Sequence, residues 1–328
     1  MIQRTKIQGI VGRKLEKILA CLLLAGLCLS ACTSQSKPYS LSTASLSPTA
    51  PPTETAPALE TETQQLPTET EAMAPSLPAR LLQSEELEEK FRKLEADLGI
   101  DQEDIGYVFL DLASQEYWGK NFDRPFLAAS VIKLPAALLS YEWAAAGRVD
   151  LSLPITIEEE DLELGTGPIS AAGVGHTYTV EELLQAAIVH SDNTAFLALD
   201  RMWKQMGWLV PNMDQRYGLH YGDKRELTPR ECLNFLWEFY DNPQQIPGYA
   251  TLENYMKNTS YPAMAATYIP VPVARKYGKN GGFYHDVGIV YGDRPFAFAI
   301  FTKNLAYPAE AIGQLNLAFY QYSQTLED

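Results

Sequence analysis

The chain has 328 residues, four cysteines and a net charge of −15. An acidic chain of this kind is a poor partner for nucleic acid or for anionic lipid surfaces, so both are set aside. Cys21, Cys28 and Cys32 crowd the N-terminus and only Cys232 follows, which leaves no framework of internal disulfides.

The first element is MIQRTKIQGIVGRKLEKILACLLLAGLCLSAC. Arg4, Lys6, Arg13, Lys14 and Lys17 make its start cationic, Ile18 to Leu29 is uncharged and apolar, and Ser30 and Ala31 are small. That layout reads as a secretory signal over residues 1–31. The apolar run is short for a membrane span, and an uncleaved anchor is the alternative. Leu29-Ser30-Ala31-Cys32 resembles a bacterial lipobox. The resemblance implies cleavage before Cys32 and a lipid anchor on it, giving an exported lipoprotein on the outer side of the cytoplasmic membrane. Residues 32–81, rich in Thr, Pro and Glu, cannot bury enough apolar area to offset their ordering entropy and read as a disordered tether. The folded domain is assigned to 82–328.

In that domain Ser84 is placed to cap a helix with apolar positions Leu87, Phe91, Leu94 and Leu98 and a stop at Gly99. IGYVFLDLA and EYWGKNF, separated by Ser114-Gln115, read as a hairpin. Phe126–Ala146 reads as a buried helix ending at Gly147. Pro135 requires that helix to start near Ser130, so that the proline stands close to the first turn. Thr179-Val-Glu-Glu182 fits a capping box opening VEELLQAAIVH, and Thr228-Pro-Arg-Glu231 repeats it. Cys232, in the helical CLNFLWEFY, reads as a small buried hydrophobe. VPVARKYG, DVGIVYG and FAFAIFTK read as strands, and an amphipathic helix follows from Pro308. Helices fill the middle and strands stand at both ends. The simplest arrangement is an α+β fold in which both ends share one antiparallel sheet flanked by helices, with a helical lobe beside it.

For chemistry, there is no GxSxG elbow, and His176, His190, His220 and His285 are scattered with no HExxH. Gly165-Thr-Gly167 and Gly173-Val-Gly175 do not follow strands and read as loop punctuation. The informative residue is Lys133, the only charge between Phe126 and Ser140. It could snorkel to water. Yet Ser130 stands three residues earlier, on the same helical face. A serine hydroxyl needs a neighbouring base to become a nucleophile, and a desolvated lysine has its pKa lowered into a usable range. The expected geometry holds the Lys133 amine against the Ser130 hydroxyl. Ser191-Asp192-Asn193 then lies on a loop between helices, and Lys276-Tyr277-Gly278 on a strand.

SxxK, SDN and K-T/S-G in this order form the motif set of class A β-lactamases and penicillin-binding serine acyltransferases, and residues 83–325 resemble that family. The resemblance implies a β-lactamase/transpeptidase-like fold, no cofactor and no metal, and a monomer acting on a β-lactam or a peptidoglycan-like amide. It implies that Ser130 is acylated and Lys133 accepts its proton. Ser191 shuttles a proton to the leaving nitrogen. Asn193 donates to the substrate amide side chain, and Lys276 supplies positive charge opposite Ser191 and the substrate carboxylate. The oxyanion hole is formed by the N–H groups of Ser130 and Lys279. Gly278 and Tyr277 complete the substrate-binding strand, while Asp192 holds the loop.

The pattern is broken twice. Tyr277 replaces the small hydroxyl residue, and Lys279-Asn-Gly281 is a less suitable alternative because it leaves too short a turn before the next strand. No E-x-x-x-N glutamate lies between Asn193 and Thr228. Glu226 is the only glutamate there, and Asp214 and Asp223 are other carboxylates, each of the three otherwise reading as a solvated loop charge. Three activities stay open: a β-lactamase, a D,D-peptidase or slow penicillin-binding protein, and a non-catalytic binding or sensor lipoprotein.

Overall fold

The computed structural model describes residues 79–326, except 164, 206–208, 243–245 and 262. The signal, Cys32 and the tether up to residue 78 lie outside the described residues.

Six strands form the main sheet, in the order β1 (Arg80–Leu81), β3 (Glu116–Lys120), β2 (Ile105–Asp111), β10 (Phe296–Lys303), β9 (Phe283–Val290) and β8 (Val273–Asn280). The two ends of the chain meet where β2 and β10 pair antiparallel, with Val108 opposite Ala299. The shared sheet expected from the sequence is therefore present. Its one parallel pair is β1 with β3, so Arg80 and Leu81, placed with the tether by composition, already belong to the sheet.

Both faces of the sheet are covered, which explains why its strands read as apolar runs. Alternation sends Tyr107, Phe109, Phe296, Phe298 and Ile300 to one side. There they meet α1 (Glu85–Asp97) and α9 (Pro308–Ser323) around Phe91 and Phe319, whose rings lie 5.0 Å apart. Burying an aromatic side chain of this kind contributes about 1.5–3 kcal/mol. The Ser84 hydroxyl accepts the Leu87 N–H at 3.3 Å and starts α1, and Gly99 at φ 64° ends it.

Val108, Leu110, Ala274, Val287 and Ala299 face the other way, into the helical lobe. This side contains α2 (Lys133–Ala145), α3 (Pro168–Ala172), α4 (Val180–Gln185), α5 (Asn193–Gln205), α6 (Leu209–Tyr217), α7 (Pro229–Asp241) and α8 (Tyr249–Lys257). Both capping boxes close as expected: Thr179 with Glu182, and Thr228 with Glu231. Cys232 is fully buried.

Two helices differ from their expected form. The run from Ala129 to Ile132 is a 3₁₀ turn, and the α-helix begins only at Lys133. The tighter turn keeps Pro135 at the third position, where no intrahelical donor is required. The VEELLQAAIVH helix is α-helical to Gln185 and widens into a π-type turn over Ala186–His190, just before the SDN loop.

Candidate active site

The turn that bears Ser130 is held from three sides. Phe126–Leu127 (β4) pairs with Glu226–Leu227 (β7), the Ala128 N–H donates to Arg225 O at 2.9 Å, and His285 Nε2 donates to Leu127 O at 2.8 Å. Ala129 then takes φ 47°, a left-handed conformation costing a residue with a Cβ about 1–3 kcal/mol unless the surroundings impose it. Strand β8 lies against the same turn. A Cβ on Gly278 would come within 3.1 Å of Val131 Cγ2, 3.2 Å of Ala128 O and 3.3 Å of Ala129 Cβ. Glycine at 278 therefore lets the strand that carries Lys276 and Lys279 approach Ser130.

Lys133 points inward and is 3 % exposed. Its ammonium donates to Ser191 O at 2.7 Å and to Asn193 Oδ1 at 2.6 Å. Among the described residues these two acceptors take the amine, and the Ser130 hydroxyl, expected to hold it, does not. Carbonyl oxygens placed by the SDN loop are the stronger acceptors for a buried cation. Burial pulls the Lys133 pKa down to about 7, against the opposing pull of the Asp192 and Glu163 charges.

The SDN loop reverses at Ser191, whose φ is 56°. Its carbonyl thereby serves Lys133 while its hydroxyl accepts from Lys276 Nζ at 2.9 Å. Lys276 is fully buried and its pKa is held well below the ordinary value, first by burial and then by the nearby charge of Lys133. Asp192 anchors the loop. It accepts from the N–H groups of Ile169 at 2.8 Å, Ser170 at 3.1 Å and Ala195 at 3.0 Å, and from the Ser170 hydroxyl at 3.0 Å. Gly167, at φ 112°, leaves room for it: a Cβ there would stand 2.1 Å from Asp192 Oδ2.

Tyr277 is buried rather than offered to a substrate. Its ring stacks on Tyr261 at 4.1 Å, its hydroxyl donates to His190 O at 3.4 Å, and the Lys276 ammonium lies 4.2 Å from the ring centroid. Arg275 fixes this arrangement by donating to Tyr261 O at 2.9 Å and to buried Asp286 at 2.7 Å. The phenol thus replaces the small hydroxyl with a packed ring that supports Lys276.

A cleft of about 970 Å³ opens beside these groups, and Ser130, Lys133, Asn193 and Lys279 are on its wall. Ser191, Lys276, Tyr277 and Gly278 are not, and stand in the packed layer joined to it by the contacts above. Of the carboxylates singled out in the sequence, Asp214 and Asp223 line the cleft, whereas Glu226 pairs in β7. Asp214 is on α6 and accepts from the Tyr221 N–H at 3.3 Å. Burial raises its pKa. Sequence reading missed Glu163, which lines the same cleft and accepts from Asn193 Nδ2 at 2.9 Å. It precedes the SDN motif and carries no motif of its own.

The profile of the beta-lactamase enzyme family matches residues 86–323. A beta-lactamase of Rhodobacter capsulatus is 33% identical over 113 residues, 34% of this chain and 36% of that protein, so the chain matches about a third of this relative's length. Among solved structures, PBP-A superposes with a TM-score of 0.66 at 20% identity, covering 76% of this chain and 99% of PBP-A. A mutant of PBP-A, solved as an acyl-enzyme complex with penicillin G, gives 0.64 at 21% identity, with 76% and 99% covered. The beta-lactamase from Sphaerobacter thermophilus gives 0.64 at 21% identity, with 73% and 98% covered. At these identities the likeness is one of fold. The family match, extending from the first turn of α1 to the last residue of α9, shows that the chain belongs to the beta-lactamase enzyme family.

Proposed function

We propose that this chain is a serine acyl-hydrolase of the class A type that forms an acyl-enzyme on Ser130 with a β-lactam or a cell-wall peptide amide. The observation that carries the reading is Lys133. It is a lysine buried beside the nucleophile turn, with a pKa of about 7, so a large fraction is neutral near neutral pH. In this reading Ser130 Oγ attacks the amide carbonyl and its proton passes to Lys133 Nζ. The developing oxyanion is met by the N–H groups of Ser130 and Lys279. Ser191, hydrogen-bonded to Lys276, then passes its proton to the leaving nitrogen as the C–N bond breaks and is reprotonated by Lys133, which returns to the neutral amine. Asn193 donates to the carbonyl of the substrate's acylamino side chain. Water completes the cycle by hydrolysing the ester and returning Ser130.

The penicillin acyl-enzyme of the PBP-A mutant supports a β-lactam as substrate. Export and anchoring through a lipidated Cys32 belong to the same proposal and are supported by the layout of residues 1–32. Intact-mass spectrometry over time tests the whole. Penicillin G should add its full mass to the protein, Ser130→Ala should abolish the adduct, and the adduct should decay with release of hydrolysed product. An adduct that persists would assign the chain to the slow penicillin binders. The absence of any adduct at high β-lactam concentration would refute the acyl-enzyme. An acyl-chain mass on protein from the membrane fraction, lost in Cys32→Ala, checks the anchor.

A further inference from the structure

Lys276 is joined to the leaving side of the substrate through the Ser191 hydroxyl, which accepts its hydrogen bond at 2.9 Å. A carboxylate beside the leaving nitrogen, such as the one penicillin G carries, would have to draw a hydrogen from this amine. The surroundings of the amine are already filled. Lys276 is fully buried and does not line the cleft. It also donates to the Tyr277 carbonyl at 2.9 Å, and the centroid of the Tyr277 ring lies 4.2 Å from its nitrogen, within cation–π range. An ammonium has three hydrogens, and a hydroxyl, a carbonyl and a ring face match that number. Burial and the charge of Lys133 hold the Lys276 pKa well below the ordinary value, so this amine gives up its charge more readily than an exposed lysine does.

The ring is fixed where it stands. It stacks on Tyr261 at 4.1 Å and 20°. Arg275 donates to the Tyr261 carbonyl and to Asp286, which is opposite Tyr277 on the neighbouring strand, and both partners of that ion pair are buried. The cleft wall does not make good the lost cation. Lys133 accepts the serine proton, and Lys204 is paired with Asp200 at 3.0 Å. Lys279 alternates to the face of Tyr277, and its ammonium lies 5.2 Å from the Tyr284 ring centroid and 6.0 Å from that of Tyr261. With Arg225, the cations among the cleft-lining residues number four, and Glu163, Asp200, Asp214 and Asp223 equal them.

We propose that Tyr277 closes Lys276 to anions, and that the site takes acyl donors with no charge beside the leaving nitrogen, as at an amide inside a peptide chain rather than one next to a free terminal carboxylate. The inference rests on the acyl-enzyme reading above and names a substrate class within it.

Penicillin G and its methyl ester separate the two claims, because they share one nucleus and differ in charge only beside the ring nitrogen. Second-order acylation rates are measured for both with the full chain, each divided by the same compound's rate with hydroxide so that intrinsic reactivity cancels. The ratio of acid to ester should be at or below about five, the most that one exposed ion pair contributes. Tyr277→Thr removes the ring and supplies a small hydroxyl, and should raise the ratio roughly tenfold, the contribution of one hydrogen bond to a charged group. Tyr277→Phe keeps the ring and the stack, and should leave the ratio where it was whatever its absolute rate. A ratio above about five in the intact chain, with both compounds acylating Ser130, overturns the proposal and leaves the acyl-enzyme standing. Loss of that acid preference in Lys279→Ala would give the anion to Lys279 instead. An unchanged ratio in a Tyr277→Thr protein that keeps its melting midpoint overturns the role of Tyr277. If Tyr277→Thr does not fold, the ratios of the intact chain and of Tyr277→Phe decide. Failure of both compounds to acylate the intact chain overturns the acyl-enzyme and the proposal together.

Discussion

If Lys133 takes the proton of Ser130, acylation must follow the population of the neutral amine. Burial pulls this amine from 10.5 to about 7, with Asp192 and Glu163 acting against the shift. The neutral fraction then rises from about a tenth at pH 6 to about nine-tenths at pH 8, so the acylation rate climbs roughly tenfold over that interval and then levels. A lysine left at its ordinary value would instead give about a hundredfold climb over the same interval, still rising at pH 9. The assay is the second-order rate of penicillin G adduct formation, read by intact mass between about pH 5.5 and pH 9.5. Glu163→Gln supplies an internal check, because it removes one of the two charges that favour the ammonium, and the ascending limb should move to lower pH. A rate that keeps rising to pH 9 without a break, or one that does not vary with pH, would refute Lys133 as the proton acceptor.

Two further outcomes follow from the packing around the site. Asp192→Ala leaves the N–H groups of Ile169, Ser170 and Ala195 without their acceptor, at about 1–3 kcal/mol each when buried. A total cost of about 4 kcal/mol and a melting midpoint lower by about 10 °C are expected by calorimetry, and a change within about 2 °C would contradict the anchoring role. Gly278→Ala forces the Ala128–Val131 turn to give by a few tenths of an ångström. Acylation should fall roughly tenfold while thermal stability changes little, because misplacing a nucleophile by fractions of an ångström is costly to rate. Equal losses of rate and stability in calorimetry and kinetics would show that the contact serves the fold rather than the site.

The features legible in the sequence are those carried by short-range rules. Ser84, Thr179 and Thr228 cap their helices through side chains three residues from their partners, and each cap is in place. The strands near the C-terminus are apolar because both faces of their sheet are covered, and they form where expected. The start of α2 was less legible, because a 3₁₀ turn and an α-helical turn share nearly the same residue preferences. What selects between them is the clamp of β4, Arg225 and His285 on the turn before Ser130. Tyr277 was legible as a departure from the pattern but not in its consequence, since its stacking partner Tyr261 is brought to it by Arg275 and Asp286.

The residues of the acylation step and the carboxylates of the cleft differ in how they are encoded. Ser130 and Lys133 share a turn, and Ser191 and Asn193 share a loop, so spacing alone exposes them. Glu163 gains its position through Thr194 and Asn193, 31 and 30 residues later in the chain. Asp214 reaches the same cleft from α6, with Val210 and Pro211 four and three residues before it on the same helix face. A carboxylate of this kind has no required spacing to the nucleophile, because its chemistry asks only that it face the same cavity. A search of the sequence for one glutamate in one segment therefore tests a particular loop, not the presence of a carboxylate. Here the cleft beside Ser130 is lined by Glu163, Asp200, Asp214 and Asp223. Asp214 accepts from the Tyr221 N–H, and burial raises its pKa. Glu163 is pinned by its backbone and joined to Asn193.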